Sequence, residues 1–325
     1  MTDGGATASL HALSMNQTVP AKGPVTSERR RNGCGGGEVV NALSVDVEDY
    51  FQVEAFKSIV DRASWENRPA RVADNTERVL ELFASANVRA TFFVLGWVAE
   101  RFPAVVKSIS AAGHEVASHG YGHENMHPLA PADVRQDVRR AKSILEDLSG
   151  TRVRGFRAPT FSIGRDNWWV YDILREEDHE YSSSIYPIAH DLYGIPTAPR
   201  TAFRPLEGEE FLEIPIATVN LLGKNRPCGG GGYFRLLPYG VSRWSIARVN
   251  RRDRIPCVFY CHPWEFDADQ PRFHEASLKS QFRHYLNIGL MQNRMSHLLQ
   301  DFAWGRMDDI FLGSHEFACV PAQNI

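Results

Sequence analysis

The sequence predicts an α/β protein whose parallel strands close into a barrel, and two observations lead there. Short apolar runs alternate with segments of helical periodicity from Val40 to Ile185, the pattern of a parallel sheet wrapped by helices. The connections are short, and the alternation continues over a length that a barrel fits better than an open sheet. The chain has 325 residues, 43% of them hydrophobic and 23% charged. That is enough for one large domain or two ordinary ones with a real core.

The elements follow in order. Residues 1–38 are rich in Gly, Ala, Ser and Thr and carry Arg29-Arg30-Arg31. They bury too little apolar surface to offset their ordering entropy and are expected to form a disordered tail. Residues 40–45 read as a buried strand. Residues 74–86 form a helix by the spacing of Val79, Leu80, Leu82 and Phe83, with Asp74 as its N-cap. Residues 89–95 are a second strand, 103–112 a short helix stopped by Gly113, and 115–118 a third strand. Residues 131–148 are periodic through Val134, Val138, Ala141 and Leu145. Another strand ends at 155–157, a helix follows at 168–176, and a strand at 181–185. The second half is less regular. Gly229 to Gly232 reads as a mobile surface loop, 257–261 as a strand ending at His262, and 277–302 as one long amphipathic helix.

Lys and Arg total 36 and Asp and Glu 39, a net charge of −3. This excludes a dominant nucleic-acid footprint and a polybasic membrane-surface protein. Five cysteines, Cys34, Cys228, Cys257, Cys261 and Cys319, are odd in number and irregular in spacing, so no disulfide framework is expected. Cys257 and Cys261 read as buried thiols on a strand rather than half of a metal site. The longest apolar stretch, 90–99, is too short for a membrane span. No apolar run follows a charged start, so the expectation is no secretory leader and a cytoplasmic location.

Polar, metal-capable residues concentrate at three strand ends. Asp46-Val47-Glu48-Asp49 gathers three carboxylates that repel one another unless a cation holds them. His119 and His123 lie four positions apart just after a strand and can meet at one metal. His127 continues the spacing, but Pro128 bends the chain after it, and it reads as a non-ligand. His262-Pro263-Trp264-Glu265 offers a general acid beside an aromatic ring that can stack on sugar. Arg157, at a further strand end, can hold a carboxylate.

Together these motifs resemble the polysaccharide deacetylases, the chitooligosaccharide-deacetylase (NodB-homology) family. Asp46 and Glu48 match its aspartate motif, His119 and His123 its His-x-x-x-His motif, Arg157-Ala158-Pro159 its Arg-x-Pro motif, and His262 its late histidine. The match covers roughly residues 43–264. Ser183-Ser184-Ile185-Tyr186-Pro187 and Gly231-Gly232-Tyr233-Phe234-Arg235-Leu236-Leu237-Pro238 resemble signatures of the subgroup associated with exosortase (PEP-CTERM) exopolysaccharide loci, and residues 201–325 include an extension like the one peculiar to that subgroup. The family carries two adjacent aspartates where this chain has Asp46-Val47. The carboxylate ligand must therefore come from elsewhere, with Glu48 as first choice and Asp49 as alternative.

The resemblance implies a distorted (β/α) barrel over residues 39–325 and removal of N-acetyl groups from a glycan. It implies a divalent metal, zinc by preference, on Glu48, His119 and His123, with Asp46 as base, Arg157 orienting it, and His262 as acid. Trp264 would line the sugar groove. A backbone N–H near Thr160 or Tyr121 would contact the developing oxyanion. Two other readings stay open: a small amide or cyclic imide hydrolase of the same fold, and a non-catalytic carbohydrate-binding relative.

Overall fold

The computed structural model describes residue 1 and residues 39–191, 193–313 and 317–325. The tail expected over 1–38 lies, Met1 apart, outside these residues. In chain order the strands are β1 (Val40–Val47), β2 (Thr91–Val94), β3 (Glu115–Ser118), β4 (Gly155–Phe156), β5 (Tyr181–Ser182), β6 (Leu212–Glu213), β7 (Thr218–Leu221), β8 (Lys224–Pro227), β9 (Val258–Cys261) and β10 (Ala303–Gly305). The α-helices are α1 (Val72–Ser85), α2 (Gly96–Arg101), α3 (Pro103–Ala111), α4 (Pro131–Ser149), α5 (Val170–Glu176), α6 (Gly231–Leu236), α7 (Tyr239–Arg248), α8 (Leu278–Tyr285), α9 (Met291–Asp301) and α10 (Met307–Phe311).

β1 is the centre of the sheet. It is buried in all but its first residue, as its apolar run demands when both faces are covered. It pairs in parallel with β2, β9 and β10, and from β2 the sheet continues through β3, β4 and β5 to β6. Every ladder of this sheet is parallel, while β7 and β8 form a separate antiparallel hairpin. After β6 the chain stays extended. Ile216 N–H donates to Ile185 O (3.0 Å) and Ala217 N–H to Val258 O (3.1 Å), so the curled sheet meets itself at β9. The distorted barrel is therefore present.

Register places the chemistry. Val47 lies opposite Val94, Val94 opposite Ser118, Ser118 opposite Phe156, and Phe156 opposite Ser182. The residues that follow, Glu48, His119, Arg157 and Ser183, therefore emerge at one end of the barrel. Val45 lies opposite Cys261, which brings His262 level with Asp46.

Several sequence expectations are corrected. The helix expected from Asp74 begins at Val72, with Arg71 at the N-cap position, and Asp74 sits in its first turn. The missing cap comes from Asp49. Its Oδ2 accepts from Arg71 N–H (2.7 Å) and Val72 N–H (3.0 Å), and its Oδ1 from Tyr50 N–H (2.8 Å). Burial pushes the Asp49 carboxyl up to about 6, against the pull of these amides. The expected single helix over 277–302 is broken. Asn287 takes a left-handed φ of 52° between α8 and a 3-10 turn at Ile288–Leu290. The Arg235 guanidinium receives the freed carbonyls, donating to His284 O and Leu286 O (both 2.8 Å).

The run Gly229 to Gly232 is not a loose surface loop. Gly229 and Gly230 lie along β9, where Tyr260 N–H donates to Gly229 O (2.8 Å), and Gly231 opens α6. The expected buried thiols are in place: Cys257 and Cys261 are free and buried, Cys261 within β9 and Cys257 just before it. No helix among the described residues is long and apolar enough to cross a membrane.

Asp49→Ala removes the acceptor for the first turn of α1. Urea unfolding is expected to show a loss of about 2 kcal/mol. Asp74→Ala is expected to cost under about 0.5 kcal/mol, and equal losses at the two positions would contradict the cap assignment.

Candidate active site

Asp46 and Glu48, two residues apart at the end of β1, are both buried. Arg157 follows β4 and is itself fully buried. Its Nη1 donates to Asp46 Oδ1 (2.6 Å) and Ser44 Oγ (2.9 Å), its Nε to Ser183 O (3.0 Å), and its Nη2 to Ser183 Oγ (2.9 Å). The guanidinium lies 4.1 Å from the centre of the Phe93 ring. A buried cation satisfied on this many sides has one position, and the Asp46 carboxylate is fixed with it.

His119 follows β3. Its Nδ1 donates to Arg157 O (2.7 Å), since a carbonyl can only accept, and this leaves Nε2 free. The loop from His119 to His123 is pinned on both sides. Gly96 and Trp97 N–H, at the start of α2, donate to Gly120 O (2.8 Å) and Tyr121 O (2.9 Å). Asp137 of α4 accepts from Tyr121 N–H (2.8 Å) and Gly122 N–H (3.2 Å). Gly120 has φ of 72°, and a Cβ there would stand 2.7 Å from the Asp137 carboxylate. The clamp explains why the loop needs this glycine.

The loop delivers His123 Nε2 to 2.8 Å from Glu48 Oε2. Ligand atoms of Glu48, His119 and His123 all lie within 4.8 Å of one another. Glu48 Oε2 is buried, with the His123 ring nitrogen as its near neighbour. Burial alone would raise Glu48, but the surrounding imidazoles, His123 first, outweigh it and hold the carboxyl down at about 2. Burial lowers His119 to about 4, which keeps its lone pair available. One ionised carboxylate and two imidazoles, buried and brought together, form a donor set that fits a divalent metal of the zinc type. Asp49, the alternative ligand, is occupied at the start of α1. His127 is exposed, 3.6 Å from Asp166, and stands outside the cluster.

His262 Nε2 lies 3.7 Å from Glu48 Oε1. Its other nitrogen, Nδ1, is 3.3 Å from Glu265 Oε2, which also accepts the His262 backbone N–H (2.9 Å). Arg235 Nε donates to Glu265 Oε1 (2.8 Å). A Cβ on Gly231 would stand 2.1 Å from Glu265 Oε2, so this glycine makes room for the carboxylate. Burial alone would lower His262, but Glu265 and Glu48 outweigh it and raise the imidazole to about 9. Glu265 is held at about 2, burial being overcome by Arg235 and His262.

Two substrate-binding expectations are corrected and one is located. Trp264 does not line an open groove. It is 6% exposed, stacked between His262 (5.1 Å) and His284 (4.1 Å), and its Nε1–H donates to Glu48 Oε1 (3.2 Å). It therefore steadies one carboxylate oxygen and leaves the other toward the two imidazoles. Tyr121 turns away: its hydroxyl donates to Glu100 (2.7 Å), its ring lies under Arg140, and its N–H belongs to Asp137. Thr160 stands two residues beyond Ala158 with φ of 57°. A β-branched residue there is strained, as backbone near a site often is. Sequence reasoning gave no role to Glu265, Arg235, Ser183 and Asp137. Glu265 closes the His262 motif, and Ser183 and Arg235 lie inside the two signature-like segments, whereas Asp137 on α4 left no local signal.

The His262–Glu265 pair sets a pH dependence of stability. The raised His262 value contributes stability in full below 6.5, lost as pH rises through about 9. Metal-free protein is expected to weaken to urea across that interval, and Glu265→Gln to flatten the loss. A slope unchanged in Glu265→Gln would contradict the pairing.

Residues 63–175 match a family described as polysaccharide deacetylase, and residues 183–312 one described as a domain of unknown function, DUF3473. A peptidoglycan-N-acetylglucosamine deacetylase of Bacillus cereus is 36% identical over 84 residues, 26% of this chain and 30% of that protein. A chitooligosaccharide deacetylase of Sinorhizobium fredii is 36% identical over 100 residues, 30% of this chain and 44% of that protein. The matched region is thus less than half the length of either relative. In fold, the chain resembles a solved structure from Mycobacterium smegmatis designated a polysaccharide deacetylase, with TM-score 0.55 and 19% identity over 86% of this chain and 91% of that one. It also resembles Puue allantoinase, with TM-score 0.53 and 16% identity over 84% and 90%. The chain is therefore similar to the polysaccharide deacetylases over residues 63–175 and to DUF3473 over residues 183–312, and it shares their relatives' fold.

Proposed function

We propose that this chain is a divalent-metal-dependent N-deacetylase that releases acetate from an N-acetylated polysaccharide. The observation that carries the reading is the convergence of Glu48, His119 and His123 beside a clamped Asp46 and a carboxylate-bound His262. The deacetylases of Bacillus cereus and Sinorhizobium fredii support the substrate class. Residues 39–325 would act as one catalytic domain, with 201–325 including the subgroup extension. The subgroup-like segments around Ser183 and Gly231 support a role in exopolysaccharide biosynthesis.

Glu48, His119 and His123 would hold the metal. When bound, it would polarise the acetamido carbonyl and acidify water. The other steps belong to the chain. Asp46, oriented by Arg157, takes the proton of the attacking water. The backbone N–H of Thr160 is assigned to the developing oxyanion. His262, kept protonated by Glu265, gives its proton to the leaving amine, and acetate and a free amino sugar result.

The fold shared with Puue allantoinase supports a second reading, hydrolysis of a small cyclic amide. Acetate release from N-acetylated oligosaccharides separates the two, because only the first reading expects it. Chelator is expected to abolish release and zinc to restore it. Asp46→Asn is expected to lower kcat at least about a hundredfold, and His119→Ala to lose bound metal. Full activity in Asp46→Asn would refute the base assignment.

A further inference from the structure

Several buried side-chain nitrogen and oxygen atoms lack a hydrogen-bond partner among the described residues. Three residues lining a single cavity away from the candidate active site supply such atoms: Arg175 Nε, Arg204 Nε and the His179 ring. The cavity encloses about 320 Å³, within the size range of small-molecule sites. Arg154, Glu180 and Leu212 also line it, and these stand at the N-terminal ends of β4, β5 and β6. Because the strands are parallel, the cavity lies at the end of the barrel opposite Glu48, His119 and His123.

The unmet inventory defines what fits. His179 is 3% exposed, and burial lowers it to about 3 against the pull of the Leu174 carbonyl, so the imidazole is neutral, its N–H turned to that carbonyl and its other nitrogen left as an acceptor. Arg175 and Arg204 spend terminal nitrogens on Glu209 (3.0 Å) and Glu210 (2.9 Å), which leaves each Nε over. Arg154 is paired with Glu180 at 2.7 Å. The cavity thus gathers two unmet donors and one unmet acceptor inside walls whose charges nearly balance. Buried polar groups are rarely left unpaired, so three at one place depart from ordinary interiors. A hydrogen phosphate group supplies oxygen acceptors for the donors and a hydroxyl for the imidazole. A carboxylate or sulfate leaves the imidazole acceptor unmet.

We propose that this cavity binds a small phosphate-bearing molecule, inorganic phosphate or a phosphorylated sugar, at the end of the barrel remote from the candidate active site. Titration calorimetry on the full chain tests it, with inorganic phosphate and a hexose 6-phosphate in separate arms. Saturable binding is expected in at least one arm, and the tighter arm identifies the source. Sulfate is expected to bind more weakly. Arg175→Gln combined with Arg204→Gln, both partly exposed, is expected to weaken binding at least about tenfold, with the thermal midpoint of the unliganded protein unchanged. His179→Phe is expected to do the same if it folds, but the arginine pair decides the matter alone. Absence of binding in both arms, equal affinity for sulfate, or undiminished affinity in the double variant would overturn the proposal.

Discussion

The buried Arg157–Asp46 ion pair is the contact on which the rest of the candidate site depends. The Arg157 side chain joins Ser44 and Asp46 of β1 to Ser183 beyond β5, and its own carbonyl fixes the ring of His119. One residue therefore sets the proposed base, one imidazole of the candidate metal cluster and the spacing between strands that do not neighbour each other. Removing one member of such a pair leaves an uncompensated charge, typically about 3–5 kcal/mol. The loss would extend beyond charge, because His119 and Asp46 are aimed by the same group.

The site draws on three stretches of sequence. Asp46 and Glu48 precede the region that matches the polysaccharide deacetylases, and His119, His123 and Arg157 lie inside it. His262, Trp264, Glu265 and Arg235 all belong to the DUF3473 region. That region also provides β6, β9 and β10, so it completes the sheet as well as the site. Arg235 links the two roles. It holds Glu265, which holds His262, and it also takes the carbonyls freed where the chain breaks between α8 and the following turn.

Much of this was legible in the sequence. Strand ends rich in carboxylate and imidazole stood out against apolar runs, and alternation along a strand favoured Glu48 over Asp49. What escaped was non-local. The cap of α1 comes from Asp49, far outside the helix, where a local rule pointed to Asp74. The glycine run looked like a loop because close packing against β9 and the Glu265 carboxylate leaves no periodic trace. Trp264 looked like a sugar platform because an aromatic beside a histidine reads the same whether it faces solvent or is sandwiched between two rings. Asn287 broke a convincing amphipathic pattern because the acceptors it freed had a partner, Arg235, encoded some fifty residues earlier.

The pairing of β1 with β9 and β10 has a consequence for the way the protein is made. β1 leaves the ribosome some two hundred residues before β9 and β10, the strands that cover much of its length. Until then a strand that ends up buried in all but its first residue keeps an unpaired edge, the kind of edge that recruits other strands. Closure must wait for distant contacts, which makes folding slow for the size of the protein. The nascent chain therefore holds that edge through the synthesis of everything between β2 and β9.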